Sequence, residues 1–129
     1  MGYLNILALS AMAMDIEKLR VDTVATNIAN QHSIQGANGE LYRPKQVVSQ
    51  RFEDQLIYEV VDEQVTPKKE YQPGHPAADS KGFVTYPGVN KVDEMTTMIK
   101  ASRAYEANIK MLNIARTMAL QALSIGEDK

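Results

Sequence analysis

The stretch LNILALSAMAMDIEKLRVDTVATNIAN, Leu4 to Asn30, decides the fold. It contains neither proline nor glycine, the two residues that most disfavour a helix interior. Its apolar positions step by three and four: Leu4, Leu7, Ala11, Met14, then Val21, Ala25 and Ile28, with Lys18 where the next seam residue belongs. That spacing predicts one stripe on a helix of roughly 27 residues, about 40 Å long at 1.5 Å per residue. Leu19 and Val24 widen the stripe. The helix should break at Gln31-His32-Ser33, where Gly36 and Gly39 follow and supply turn freedom.

A second segment of the same kind runs from Val92 to Ile125, again without proline or glycine. Its apolar positions include Met95, Met98, Ile99, Tyr105, Ile109, Leu112, Ala115, Ala119 and Leu123. Pro87 and Gly88 precede it, Asn90 or Asp93 can cap its start, and Gly126 reads as its stop signal. Either helix alone would ordinarily pack on its own domain. Together they carry more apolar surface than the short middle can cover, so the excess is expected to meet other chains in a coiled-coil-like bundle. Ala8, Ala11, Ala25 and Ala29, with Ala101, Ala104, Ala115 and Ala119, would allow close helix approach.

Between the helices the pattern changes. All five prolines and both phenylalanines lie there. Short strands are expected at Lys45–Val48, Gln55–Val61, Lys69–Tyr71 and Phe83–Tyr86, rich in β-branched and aromatic residues and punctuated by proline. The expected fold class is α+β: two long terminal helices forming an assembly layer, with a small β-rich hairpin segment inserted. The expected organisation is an N-terminal assembly helix over 1–32, the middle segment over 33–90 and a C-terminal assembly helix over 91–129.

Composition narrows the chemistry. The 129 residues hold 14 basic and 16 acidic side chains, a net charge of -2. So slight a charge offers no field for nucleic acid or an anionic membrane. There is no cysteine, which removes thiolate metal sites, disulfides and a cysteine nucleophile. The longest apolar run, Ile6 to Met14, is too short to cross a bilayer and lacks the basic flank of a cleavable signal. His75 and Asp79 stand four apart, but Pro76 spoils a helical metal pair. The adjacent pairs Asp62-Glu63 and Asp93-Glu94 point to different sides and read as solvated charges rather than convergent acid–base groups. No catalytic residue, metal, cofactor or small-molecule substrate is expected.

Several strings then add up. Val24-Ala25-Thr26-Asn27-Ile28-Ala29-Asn30 closely resembles the Asn-Asn-Ile-Ala-Asn signature near the end of the first helix of flagellar rod and hook proteins, with Thr26 replacing an Asn. Tyr42-Arg43-Pro44 resembles the Tyr-Arg-Arg that opens their first strand. Tyr71-Gln72-Pro73-Gly74-His75-Pro76-Ala77-Ala78-Asp79 and Gly82-Phe83-Val84-Thr85-Tyr86-Pro87-Gly88-Val89-Asn90 are similar to strings of the rod branch, Gly88 standing where that branch has Asn. Ala101-Ser102-Arg103-Ala104-Tyr105-Glu106-Ala107-Asn108 is the most specific match.

The resemblance implies a structural subunit of the proximal rod, spanning the periplasm and helping to transmit torque. It implies export through the flagellar type III channel without a cleaved signal peptide. Implied partners are other rod proteins, neighbouring copies of the chain, and the membrane ring and export apparatus at the rod base. The expected assembly residues are Leu4, Leu7, Ala11, Met14, Val21, Ala25, Asn27, Ile28 and Asn30 on the first helix. On the second they are Met95, Ile99, Ser102, Arg103, Tyr105, Asn108, Leu112, Ala115 and Ala119. Pro73, Gly74, His75 and Pro76 form an expected loop contact, stiffened by its prolines, with Gly74 free to supply a positive φ. From the residues without the resemblance, a soluble helical adaptor that binds partner helices stays open as the alternative.

Overall fold

A computed structural model describes residues 3–36, 38–53 and 55–127. Its elements run α1 (Tyr3–Ala29), β1 (Lys45–Phe52), β2 (Gln55–Asp62), β3 (Lys68–Tyr71), β4 (Phe83–Tyr86) and α2 (Lys91–Glu127). The fold is α+β, with two long helices packed along each other and the strands between them in sequence. No helix among the described residues is long and apolar enough to cross a membrane.

The helix ends follow from their side chains. Asn90 caps α2: its Oδ1 accepts from the Val92 N–H at 3.1 Å and its backbone carbonyl from the Glu94 N–H at 3.0 Å. Asp93, held by the Asn90 amide at 2.7 Å, adds negative charge where the helix dipole favours it. At the other junction Asn30 closes α1. Its backbone N–H donates to Thr26 O at 3.1 Å and its side-chain amide to the same carbonyl at 2.8 Å. Gly126, read as a stop signal, instead lies within α2. A glycine inside a helix costs only about 1 kcal/mol, too little to end a helix by itself.

The strands form two separate antiparallel hairpins, β1 with β2 and β3 with β4. In the first, Lys45 faces Asp62 and Phe52 faces Gln55. The chain turns through Glu53, whose φ of 53° lies in the left-handed region that tight hairpins use. β1 extends four residues beyond its expected end at Val48. Ser49-Gln50-Arg51-Phe52 escaped notice because it is exposed and shows no alternation. In the second hairpin Val84 and Tyr86 are buried. The rings of His32 and Tyr86 meet nearly perpendicular, at a 5.9 Å centroid separation.

The core is small and off-centre. Ile16 and Val24 of α1, Ala101 of α2, Val84 and Tyr86 of β4, and Pro44 and Pro87 beside the hairpins are buried. The buried face of α1 therefore turns on Ile16, Val24 and Asn27, displaced from the expected seam, on which Ala11 and Ala25 are exposed.

Candidate assembly interface

The site has two parts, a polar junction that fixes the helices and the apolar surface they present. Asn27 makes the junction. It is 1% exposed and its side chain makes four hydrogen bonds. Oδ1 accepts from the Lys45 N–H at 2.9 Å and the Tyr42 hydroxyl at 2.8 Å. Nδ2 donates to Lys45 O at 2.7 Å and to Glu94 Oε2 at 3.2 Å. An amide is the one uncharged side chain with two donors and an acceptor oxygen on one planar group. It can therefore satisfy both backbone groups of Lys45 while reaching the other helix.

Burial raises the Glu94 carboxyl above its ordinary pKa, against the lowering effect of the Asn27 donor, and the charges of Glu63 and Asp93 push it further up. Burial also raises the Tyr42 hydroxyl. The neighbouring Lys45–Asp62 ion pair at 2.7 Å raises the lysine and lowers the aspartate, each through its hydrogen bond to the other. Sequence reasoning missed Glu94 as a partner, treating it as a solvated charge. The signal available was Asn27, a polar residue on the apolar side of a helix, which needs a partner when buried.

The expected residues fall into three groups. Asn27 and Asn30 are committed within the subunit, one to the junction and one to the end of α1. Leu7, Met14, Val21 and Ile28 are half-buried, as are Ser102, Tyr105, Asn108, Leu112, Ala115 and Ala119. On α2 that stripe centres on Ala101, along the side packed on α1. Leu4, Ala11, Ala25, Met95, Ile99 and Arg103 are exposed. Apolar side chains lie open along both helices: Leu4 is 79% exposed, Val92 72%, and Met111, Ile114, Met118, Leu120, Leu123 and Ile125 are exposed as well.

The loop carrying Pro73, Gly74, His75 and Pro76 is held by its own backbone. Gln72 N–H donates to Gly82 O at 2.9 Å and His75 N–H to Gln72 O at 3.0 Å. The Asp79 carboxylate accepts from the Lys81 and Phe83 N–H groups at 2.8 and 2.9 Å, which holds its pKa below the usual range. His75 Nδ1 accepts from the Ala77 N–H at 3.1 Å. The positive φ expected at Gly74 occurs at Gly82, where φ is +84° and a Cβ would come within 2.8 Å of the Tyr71 ring. No cluster of three potential metal ligands occurs among the described residues.

The chain is two helices packed along each other with small hairpins between them in sequence, and apolar side chains stay open on both helices. The family described as the flagellar basal body rod FlgEFG protein C-terminal region matches residues 80–125. Flagellar basal-body rod protein FlgC of Escherichia coli O6:H1 is 37% identical over 134 aligned residues, covering 98% of this chain and 100% of that protein. FlgC of Salmonella typhimurium is likewise 37% identical over 98% of this chain. FlgC of Borreliella burgdorferi is 30% identical over 97% of it. The chain belongs to the FlgC family of flagellar basal-body rod proteins. It is a structural component of the rod, built to assemble with other rod subunits, and not an enzyme.

Proposed function

We propose that the chain joins the proximal rod through the outward faces of its two terminal helices, and that neighbouring copies and other rod proteins cover those faces. The observation that carries this is the run of exposed apolar side chains along both helices, from Val92, Met95 and Ile99 near the junction to Met118, Leu123 and Ile125 on the distal half of α2, with Leu4 and Ile6 on α1. A lone helix so exposed is marginal in water, and neighbours stabilise it. Rigid packing of such helices lets the rod transmit torque. The subunit reaches its place through the flagellar type III route without a cleaved signal, and meets the membrane ring and export apparatus at the rod base. The stiff loop over residues 73–76 adds a second contact, losing little entropy on docking. Purified basal bodies from cells relying on a tagged copy of this chain test the reading. The tag should co-purify with the rod after the rings are stripped away, and a tag recovered only in the cytoplasm would refute it.

A further inference from the structure

The fold sorts the charged side chains of α1 into two sets. Glu17 and Arg20 turn inward, half-buried and 3.5 Å apart, and Arg20 donates to Ser49 Oγ of the first hairpin at 3.3 Å. Asp15, Lys18 and Asp22 stand exposed on the outer face, at steps of three and then four that keep them in one line. Ala8 and Ala11 extend that line toward the start of α1, Ala25 and Ala29 toward its end, all exposed. On α2, the face turned away from buried Ala101 repeats the spacing with every sign reversed: Arg103, Glu106 and Lys110, again exposed. None of these six side chains forms an ion pair with another described residue. The other charges on these turns of α2, Lys100 and Arg116, lie about 70° and 130° around the helix from the line through Arg103 and Lys110, on its flanks.

The charges select the partner. Two α1 faces laid together bring four aspartates against two lysines, and two α2 faces bring four cations against two glutamates, so either contact leaves at least two charges unpaired. An α1 face against an α2 face pairs all six, and charge complementarity of this kind sets partner and register. Direction follows from the fold. The Asn27–Glu94 bond puts the end of α1 beside the start of α2, so the two helices run antiparallel within a chain. Copies repeating in one direction along a polymer therefore bring α1 of one antiparallel to α2 of the next. Asp22 then faces Arg103, Lys18 faces Glu106 and Asp15 faces Lys110. The same register sets small side chains against large exposed ones: Ala29 opposite Met95, Ala25 opposite Ile99 and Ala11 opposite Ile114. Facing small and large residues interdigitate. Exposed ion pairs add little affinity, so these apolar contacts hold the joint and the charges fix its register.

We infer that the outer face of α1, centred on Lys18, docks antiparallel on the outer face of α2, centred on Glu106, of a second copy of this chain. The inference rests on the rod-subunit reading and deepens it. The contact is heterologous, so each copy gives one face and receives one.

The absence of cysteine makes the test clean. Ala25→Cys is combined with Ile99→Cys, and basal bodies carrying the chain are oxidised. Reductant-sensitive homodimer should form at least tenfold above either cysteine alone, and above Ala25→Cys combined with Met118→Cys, an exposed α2 position far out of register. Dimer no greater than in these controls, with the chains present in rods, overturns the inference. If the paired chains do not enter rods, charge reversal decides. Asp22→Arg and Arg103→Asp should each lower incorporation at least fivefold while the purified monomer keeps its wild-type melting curve. The two together should restore incorporation to within twofold of wild type. Single variants that incorporate at the wild-type level overturn the inference. So does a double variant no better than either single one, the result that a basic face on a different rod protein would give. Absence of the unsubstituted chain from rods would instead defeat the rod reading itself.

Discussion

The side-chain amide of Asn27 donates to the carboxylate of Glu94 across 3.2 Å, joining residues 67 positions apart and tying the end of α1 to the start of α2. The same amide holds both backbone groups of Lys45 and so sets where the first hairpin leaves the helices. Removing it strands those groups in a closed site. Asn27→Ala should destabilise the purified chain by about 3 kcal/mol, since each unsatisfied buried polar group costs roughly 1–3 kcal/mol. Urea unfolding measures this. A change below about 0.5 kcal/mol would mean that water replaces the amide freely.

Glu94 gives the junction a pH dependence of defined sign. Its pKa is raised in the folded chain, so the folded state favours the protonated acid. That stability is fully present below the ordinary glutamate pKa and is lost as pH rises through the raised folded value. Glu94→Gln keeps an acceptor for Asn27 and cannot ionise. Its stability relative to wild type should increase as pH rises from about 4 to 7. Asp62, Glu70 and Asp79 have lowered values and oppose this trend in both chains, so they cancel in the comparison. A difference that stays flat across that range would show that Glu94 titrates normally.

Gly88 explains its own departure from the Asn found in similar rod strings. A Cβ built there would lie 2.3 Å from the Thr66 carbonyl oxygen and 3.3 Å from the Val65 Cβ. Backbone cannot swing aside as a side chain can. Gly88→Asn should cost about 1–3 kcal/mol by overpacking, visible as a lowered thermal midpoint. An unchanged midpoint would mean that the segment around Thr66 shifts without penalty.

Much of this architecture was legible in the sequence. Helix extent followed from the absence of proline and glycine over 4–30 and 92–125, and Asn90 was a recognisable cap. What stayed hidden depended on tertiary partners. Ile16 is buried although it lies off the expected seam, because the hairpins and α2 choose which face of α1 closes. A left-handed turn was expected at Gly74, and the Asp79 bonds to the chain around Lys81 and Phe83 accompany it at Gly82 instead. The assembly residues could be named as a stripe; the polarity of Asn27 on that stripe hinted at an internal partner, but only the fold shows it spent inside the subunit and Leu4 left outside it.

Leu7 and Leu112 lie on the half-buried stripes of α1 and α2. A carboxylate on either seam, once neighbours dry it, would be buried unpaired or forced to take up a proton, at several kcal/mol. Leu7→Asp and Leu112→Asp should therefore abolish swimming and leave the chain out of isolated rods, with export unimpaired. Motility and rod content equal to wild type for both variants would place these side chains outside any dry contact.

Amide hydrogen exchange, run on the purified chain and on intact rods, tests the central claim most directly. In the free chain, amides of residues 4–14 and 106–126 should exchange quickly, because most side chains on those helical turns lie open to solvent. The junction, residues 20–29 and 94–102, should exchange slowly. In the rod, both distal segments should become protected by at least a hundredfold while the junction changes little. Protection of the distal segments that is equal in the free chain and the rod would contradict the account, because their exposed apolar faces would then owe nothing to neighbouring subunits.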